Sequence, residues 1–426
     1  MSIGILGGGL AGVSLQRFTS RPSEVLEASD RPGGLCRSWG PEGWTFDVGG
    51  HILFSKDASV LDTFRGVLGD NLHACRRANQ VLYRDRFVKY PFENGLSVLD
   101  REEILDCLLG FLENPHPAPA NFREWLLHTF GDGLCGKYLL PYNEKIWKVD
   151  LATMGLEWVE RVPKPPLADV LRSALGIETE GYVHQLNFLY PTRGGIEALV
   201  RGFMAHDRAA VATGAEVTGL RRRPDGWEVA TASGAARHYE RLVVACPVDK
   251  AVGWLPDVPD EVRAAAAGLV RNTVRVVLVG ACNESLLDKS AVYIPDPTVL
   301  PHRVCYMAFF SRHNAPPGCS SLIAEVTARP GSEWDVASDA AVTERVVADL
   351  DRIGFVRRGD VVVTEVRNEP YGYPVYDLRH ARNQRVLREY FAGLGIDLLG
   401  RWGEWDYINM DEVVRRSRAL AARLDG

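Results

Sequence analysis

The chain opens on four apolar positions, Ile3-Gly4-Ile5-Leu6, which give way at Gly7-Gly8-Gly9 to the apolar start of a helix at Leu10-Ala11-Gly12-Val13. A short apolar run bounded by glycine predicts a buried strand. A second apolar step, Val25-Leu26, ends on Glu27. Residues 80–90 alternate as a strand does, and Tyr90-Pro91-Phe92 stops them. Asp100-Arg101-Glu102-Glu103 is a capping box, predicting a helix with Ile104, Leu105, Leu108 and Leu109 on its inner face. After a rigid proline loop at 114–119, residues 121–124 repeat the capping pattern before a helix carrying Trp125, Leu126 and Phe130. A third helical stretch is expected to end at Leu140, because Pro141 follows. Strand signals return at 215–220, 227–231 and 241–245, a short antiparallel set with a return strand. Residues 274–279, 292–294, 304–310, 321–327 and 361–366 predict one mixed sheet. The chain closes on residues 400–407 and an amphipathic helix.

The glycine turn carries chemistry because strand, helix and acid stand in register around it. Gly7 permits the tight turn, Gly9 lets backbone approach a pyrophosphate, and Gly12 lets helix pack on strand. Glu27 lies about 20 residues past the first glycine, where an acid can hold ribose hydroxyls. Arg31, Gly33 and Gly34 follow in a second loop that a nicotinamide fold does not require. A flavin enzyme passes such a loop along extended FAD, with Arg31 near phosphate; the blander reading is a surface turn, since Pro-Gly-Gly is turn chemistry. FAD is therefore the expected cofactor. Two glycines ahead of His51 let backbone press against a flat ring, which would put His51 beside the reactive edge of the isoalloxazine.

The fold class is then α/β: an FAD-binding Rossmann-like domain with a mixed or antiparallel-sheet substrate domain and a helical insertion. Residues 1–75, 190–250 and 395–426 are assigned to the first, 76–95 and 251–394 to the second, and 96–189 to a helical domain covering the substrate. A net charge of −6 argues against nucleic acid as a partner, so an anionic ligand must be met by local arginines. Eight cysteines without a CxxC pair read as reduced thiols rather than disulfides or zinc ligands. No segment reaches the apolar length of a membrane span, and the opening strand leaves no room for a signal peptide. The expectation is a soluble, cytoplasmic protein.

Arginine and tyrosine recur in otherwise apolar or glycine-rich stretches: Arg161, Arg193 and Arg303, with Tyr293, Tyr373 and Tyr407. Forked guanidiniums with phenolic donors suit a diphosphate. Any one of these arginines alone reads better as a solvated charge; only their joint presence favours a site.

With these residues in view, the chain resembles the UDP-galactopyranose mutase family, on its eukaryotic-type side, within the FAD-dependent amine oxidase and protoporphyrinogen oxidase-like superfamily. The matching stretches are residues 46–55, Tyr90-Pro91-Phe92, Pro141-Tyr142-Asn143 with Trp147, Glu160-Arg161, 188–195, 293–303, Gly372-Tyr373-Pro374 and 400–407, essentially the whole length. The resemblance implies an isomerase that interconverts pyranose and furanose forms of a nucleoside diphosphate hexose, UDP-galactose by default. It implies FAD that works reduced, through an N5–sugar adduct, with NAD(P)H as external reductant. It places His51 against the flavin and Arg161 and Arg303 on the diphosphate. Tyr293, Tyr373 and Tyr407 surround that group, and Tyr90, Asn143 and Trp147 lie on the substrate side. Cofactor contacts fall to Gly7, Gly9, Leu10, Ala11, Gly12 and Glu27, then Arg31, Gly33, Gly34, Leu35 and Gly50, and finally Val217, Arg401 and Asp411. Arg193 falls in a structural or flavin-proximal turn.

Two departures bear on substrate. Glu93 stands where the eukaryotic-type enzymes carry Gln to read uracil, and Gln185 replaces an Asn near the sugar. A carboxylate accepts hydrogen bonds but does not donate them, so it suits a base edge of two donors such as guanine. A homo-oligomer stays open. The competing reading is an FAD-dependent oxidoreductase of the amine oxidase, protoporphyrinogen oxidase or desaturase type, which shares the fold and would want an apolar cage over the flavin. A third is a flavin-binding protein without activity, against which the arginine and tyrosine set speaks.

Overall fold

The computed structural model describes residues 2–162, 164–180, 183, 185–283 and 289–426. Ile3–Leu6 is a fully buried strand at the centre of a five-stranded parallel sheet. Its order is Ile396–Leu398, Arg241–Val244, Ile3–Leu6, Ser23–Leu26 and Val211–Ala212. All-parallel strands must be buried on both faces, and these are. The helices Leu10–Phe18, Ala58–Leu68, Glu197–Met204 and Met410–Asp425 supply one apolar cluster against it. Trp227, Val229 and Tyr239, from a three-stranded antiparallel sheet, join a second cluster that includes Leu6, Leu242 and Val244.

The other large sheet has seven strands in the order Val361–Val375, Val270–Ala281, Ser320–Ala328, Arg303–Tyr306, Ala291–Tyr293, Gln80–Tyr83 and Arg86–Lys89. It is mixed: Ala291–Tyr293 runs parallel to Gln80–Tyr83 and the remaining pairs are antiparallel. One face carries the helix Asp339–Arg352. The other shares its core with the helices Arg101–Leu112, Phe122–Leu134 and Leu140–Trp147.

Several expected elements change shape. Residues 80–90 form a hairpin rather than one strand, turning at Arg84 with φ of 54°. The run expected at 304–310 leaves the sheet after Tyr306 and makes a helical turn, Met307–Phe310. The last strand of the large sheet continues to Val375. Pro141 does not end a helix: after a π turn at Cys135–Leu139 it sits in the first turn of Leu140–Trp147, where its missing N–H costs nothing. The capping box at Asp100 forms, but Leu105 and Leu109 are exposed and Cys107 is the buried position of that helix.

Candidate active site

A single cavity of about 1390 Å³ runs from the glycine turn at Gly7 to Arg303, Tyr373 and Tyr407 on the large sheet. That exceeds the roughly 300–1,000 Å³ of a small-ligand pocket, leaving room for a dinucleotide and a second ligand.

At the first end, the turn is shaped by what a side chain would strike. A Cβ on Gly12 would fall 2.0 Å from the Gly7 carbonyl oxygen, whereas one on Gly9 would meet no protein atom within 4 Å. Gly12 is needed by the fold, and Gly9 opens on the cavity. The second loop closes over the first: Gly33 N donates to Gly8 O at 2.8 Å, and a Cβ on Gly34 would lie 3.3 Å from Gly9 Cα. Glu27 lines the cavity and is held by Gly8 N at 2.8 Å and by Ser29 N and Oγ at 2.9 and 2.6 Å. Leu10, Ala11, Leu35, Gly50, Val217 and Arg401 also line it.

Arg31, expected near phosphate, is off this lining: it pairs with Glu197 at 3.3 Å and lies over the Trp39 ring at 4.3 Å. Asp411 sits just off it in the first turn of the helix Met410–Asp425, where burial raises its carboxyl.

In the middle, His51 lines the cavity with its Nδ1 buried and without a partner. Burial first, then the nearby charge of Arg401, lowers the imidazole to about 4, so it is neutral at ordinary pH. Beside it stands the feature that sequence reading missed. Glu325, 1% exposed, faces Arg303 across the strand pair Arg303–Tyr306 and Ser320–Ala328. Arg303 donates to it through Nε at 3.0 Å and twice through Nη2 at 2.7 Å. Tyr373 Oη donates at 3.0 Å and Gly50 N at 3.3 Å. Burial works to raise the Glu325 carboxyl, but Arg303 and His302 outweigh it and hold it at about 2. A lone carboxylate in the apolar strand Ser320–Ala328 was the available signal, since an acid there needs a cation or a ligand.

Aromatic rings complete the far end. Tyr373 and Tyr407 stack at 5.7 Å, and Arg401 lies 4.5 Å over the Tyr407 ring while donating to Ile408 O. Tyr293 stacks on Tyr90 at 4.6 Å, and Asn79 Nδ2 donates to its hydroxyl at 3.2 Å. Tyr293, Gln185, Tyr373 and Tyr407 line the cavity; Tyr90, Glu93, Asn143 and Trp147 stand behind the lining. Trp147 packs edge-on to Tyr373 and Tyr407, and its Nε1 donates to Asn143 Oδ1 at 3.2 Å. Glu93 is buried in the turn Phe92–Asn94, where burial raises its carboxyl to about 7. Arg161 ends the turn Leu156–Arg161, whose Glu157, Trp158 and Glu160 line the cavity; its side chain lies outside the described residues. Arg193 is exposed, its backbone paired with Asn71.

A Rossmann-type sheet with an open glycine at the head of a long chamber, and a neutral histidine with a buried ion pair further in, define a dinucleotide-flavin enzyme. The chain belongs to the family of flavin-containing amine oxidoreductases, which it matches over residues 10–393. Its fold is that of a reduced UDP-galactopyranose mutase: TM-score 0.91 at 24% identity, over 99% of this chain and 95% of that one. A candidate protoporphyrinogen oxidase from Exiguobacterium sp. 255-15 superposes with TM-score 0.78 at 19% identity, over 100% and 98% of the two chains. A fatty acid isomerase from P. acnes gives 0.63 at 14%, over 99% and 98%. FAD fits these residues: Gly9 leaves backbone-only access for a pyrophosphate, Glu27 is anchored beside it, and His51 lines the cavity further in. Among the described residues no helix is long and apolar enough to cross a membrane, and no metal-ligand cluster occurs.

Proposed function

We propose that this chain is a flavin-dependent nucleotide-sugar mutase, interconverting pyranose and furanose forms of a nucleoside diphosphate hexose, with UDP-galactopyranose the default substrate. The observation that carries this is Arg303. It lines the cavity against Gly50 and is fixed by buried Glu325, with Nε and Nη2 committed to the carboxylate and Nη1 outside that fork. A guanidinium held this rigidly offers a diphosphate oxygen a charge-assisted hydrogen bond that needs no reorganisation as the leaving group gains charge. Tyr293 adds a phenol that burial keeps protonated, hence a donor without charge, while the Tyr373 hydroxyl is already given to Glu325 and leaves only its oxygen lone pairs to a ligand. We assign Arg161 the second diphosphate contact.

When bound and reduced, the flavin supplies N5 as an electron-pair donor to the anomeric carbon; NAD(P)H is the proposed external reductant. His51, neutral and lining the cavity, can accept or donate a hydrogen bond at the flavin edge without adding charge. The stacked Tyr373 and Tyr407 rings line the cavity and would give the sugar an aromatic wall. The test is to incubate dithionite-reduced protein with UDP-galactopyranose and look for the furanose product without net electron transfer. One observation favours an oxidoreductase instead: Tyr373, Tyr407 and Trp158, backed by Trp147, form an aromatic wall that an amine or apolar substrate could use. Oxygen consumption in proportion to substrate would decide for it.

A further inference from the structure

The long strands Val270–Ala281 and Ser320–Ala328 pair antiparallel out to Ala281 and Ser320. The next residue on each side is a cysteine, and the Cys282 and Cys319 Sγ atoms stand 2.8 Å apart. Directly opposed antiparallel positions bring Cβ atoms to about 4.5–5.5 Å, close to the roughly 3.5–4.5 Å that a disulfide needs. Both backbones are held where they are. Cys282 N donates to Asp360 O at 2.9 Å, Cys319 N donates to Pro316 O at 3.1 Å, and Asn283 Nδ2 donates to Asp360 Oδ2 at 3.1 Å. Cys282 is exposed and Cys319 is half-buried, so a small reagent reaches this pair.

The remaining cysteines are arranged against reaction. Burial raises the thiols of Cys75 and Cys107 to about 11 and those of Cys36, Cys135, Cys246 and Cys305 to about 12. The thiolate is the nucleophile in disulfide exchange, so these six contribute almost none at neutral pH.

We propose that Cys282 and Cys319 are a thiol-modification site, closing reversibly to a disulfide that ties off the segment carrying Tyr293, Arg303 and Phe310. The oxidant is a low-molecular-weight disulfide. The exposed Cys282 thiolate attacks one of its sulfurs, breaking that S–S bond, forming a mixed disulfide and releasing one thiolate. The Cys319 thiolate then attacks the Cys282 sulfur and releases the second. Two protons and two electrons pass from the cysteine pair to the reagent, which ends as two thiols. The closed loop spans 37 positions of sequence and contains the strand Arg303–Tyr306, whose Arg303 and Cys305 line the cavity, so oxidation restrains one wall of it. Nothing in this depends on which substrate the cavity takes.

The test uses full-length protein with its bound cofactor, treated with glutathione disulfide, quenched in acid and alkylated without reduction. The expected result is a mass loss of about 2 Da, a linked peptide joining Cys282 to Cys319, and full reversal by dithiothreitol. Cys319→Ser should keep a glutathione adduct on Cys282 that the wild type sheds. The proposal is overturned if wild-type Cys282 retains the adduct, if the crosslink joins other cysteines, or if both residues stay open to alkylation after treatment. The wild-type peptide map decides the matter even if a variant folds poorly.

Discussion

Arg303 and Glu325 form a pair whose halves depend on each other. The guanidinium is useful to an anionic ligand only while it is held, and what holds it is a carboxylate that burial alone would protonate. Removing one partner of a buried ion pair leaves the other charge uncompensated, at a cost of about 3–5 kcal/mol; the cavity wets Arg303, so the loss should fall at or below that range. Glu325→Gln is therefore expected to lower stability by about 2–3 kcal/mol and turnover at least tenfold, read by urea melts and furanose formation. The pH sign follows from the carboxyl standing at about 2 when folded and near 4.5 when unfolded. Its contribution, about 3 kcal/mol by linkage, is fully present above pH 4.5 and is lost as pH falls through about 2. Acid titration of wild type should show that loss, and Glu325→Gln should not. Glu93 has the opposite sign. Its carboxyl is raised to about 7, opposed only by its own backbone N–H, so folding is penalised progressively as pH rises from 4.5 through 7. Below 7 the protonated acid donates and accepts as Gln does, which revises the expectation that Glu93 only accepts. If it reads the base, the ratio of UDP to GDP affinity should fall between pH 6 and pH 8 in wild type and stay flat in Glu93→Gln. A flat wild-type ratio would remove Glu93 from base selection.

Elements show why some of this was legible in the chain and some was not. The first strand, glycine turn and helix were readable because each glycine answers a local steric need. Gly9 and Gly12 separate cleanly on that ground: a side chain at Gly12 strikes the Gly7 carbonyl, while one at Gly9 enters space that no protein atom fills. Gly9→Val should leave the apoprotein's melting temperature within a degree or two and abolish yellow colour on purification. Gly12→Val should fail to accumulate as folded protein. Equal loss of fold in both would mean that the open space at Gly9 is not a ligand's. The helical insertion was readable only in outline. Its inner face depends on a neighbour: Gly131 and Gly133 admit the backbone of Asp106 and Gly110 at distances no side chain allows. That approach turns Cys107 inward and leaves Leu105 and Leu109 outside, which periodicity along one helix does not reveal. Pro141 misled for a related reason, because proline stops a helix or starts one according to the turn before it.

At the scale of the molecule, the two sheets bring together what lies far apart in sequence. Gly50 and His51 come from the chain behind the first sheet, and Arg303, Glu325 and Tyr373 from three strands of the second. Glu325 escaped sequence reading because its importance lies in the cross-strand register with Arg303, a long-range property. The same convergence sets the most general expectation. The cavity is continuous from the glycine turn to Arg303, so under the proposed reading cofactor and substrate would share one chamber, and a group reduced there would meet the substrate directly. If the chemistry is a rearrangement, the electrons delivered to the cofactor are returned with every turnover, so reductant primes the enzyme and is not consumed. A substoichiometric amount of dithionite under nitrogen should then support many furanose products per flavin, and oxidised protein should support none. Arg303→Ala should cut that turnover by at least tenfold to a hundredfold, the worth of one or two charge-assisted hydrogen bonds at about 1.5–3 kcal/mol each. Lys should restore only part of it, since an ammonium lacks the fork that Glu325 holds. Product that instead stops at one equivalent per reducing equivalent would make the chamber an oxidoreductase site, and Arg303 a group that fixes Glu325 rather than a ligand for diphosphate.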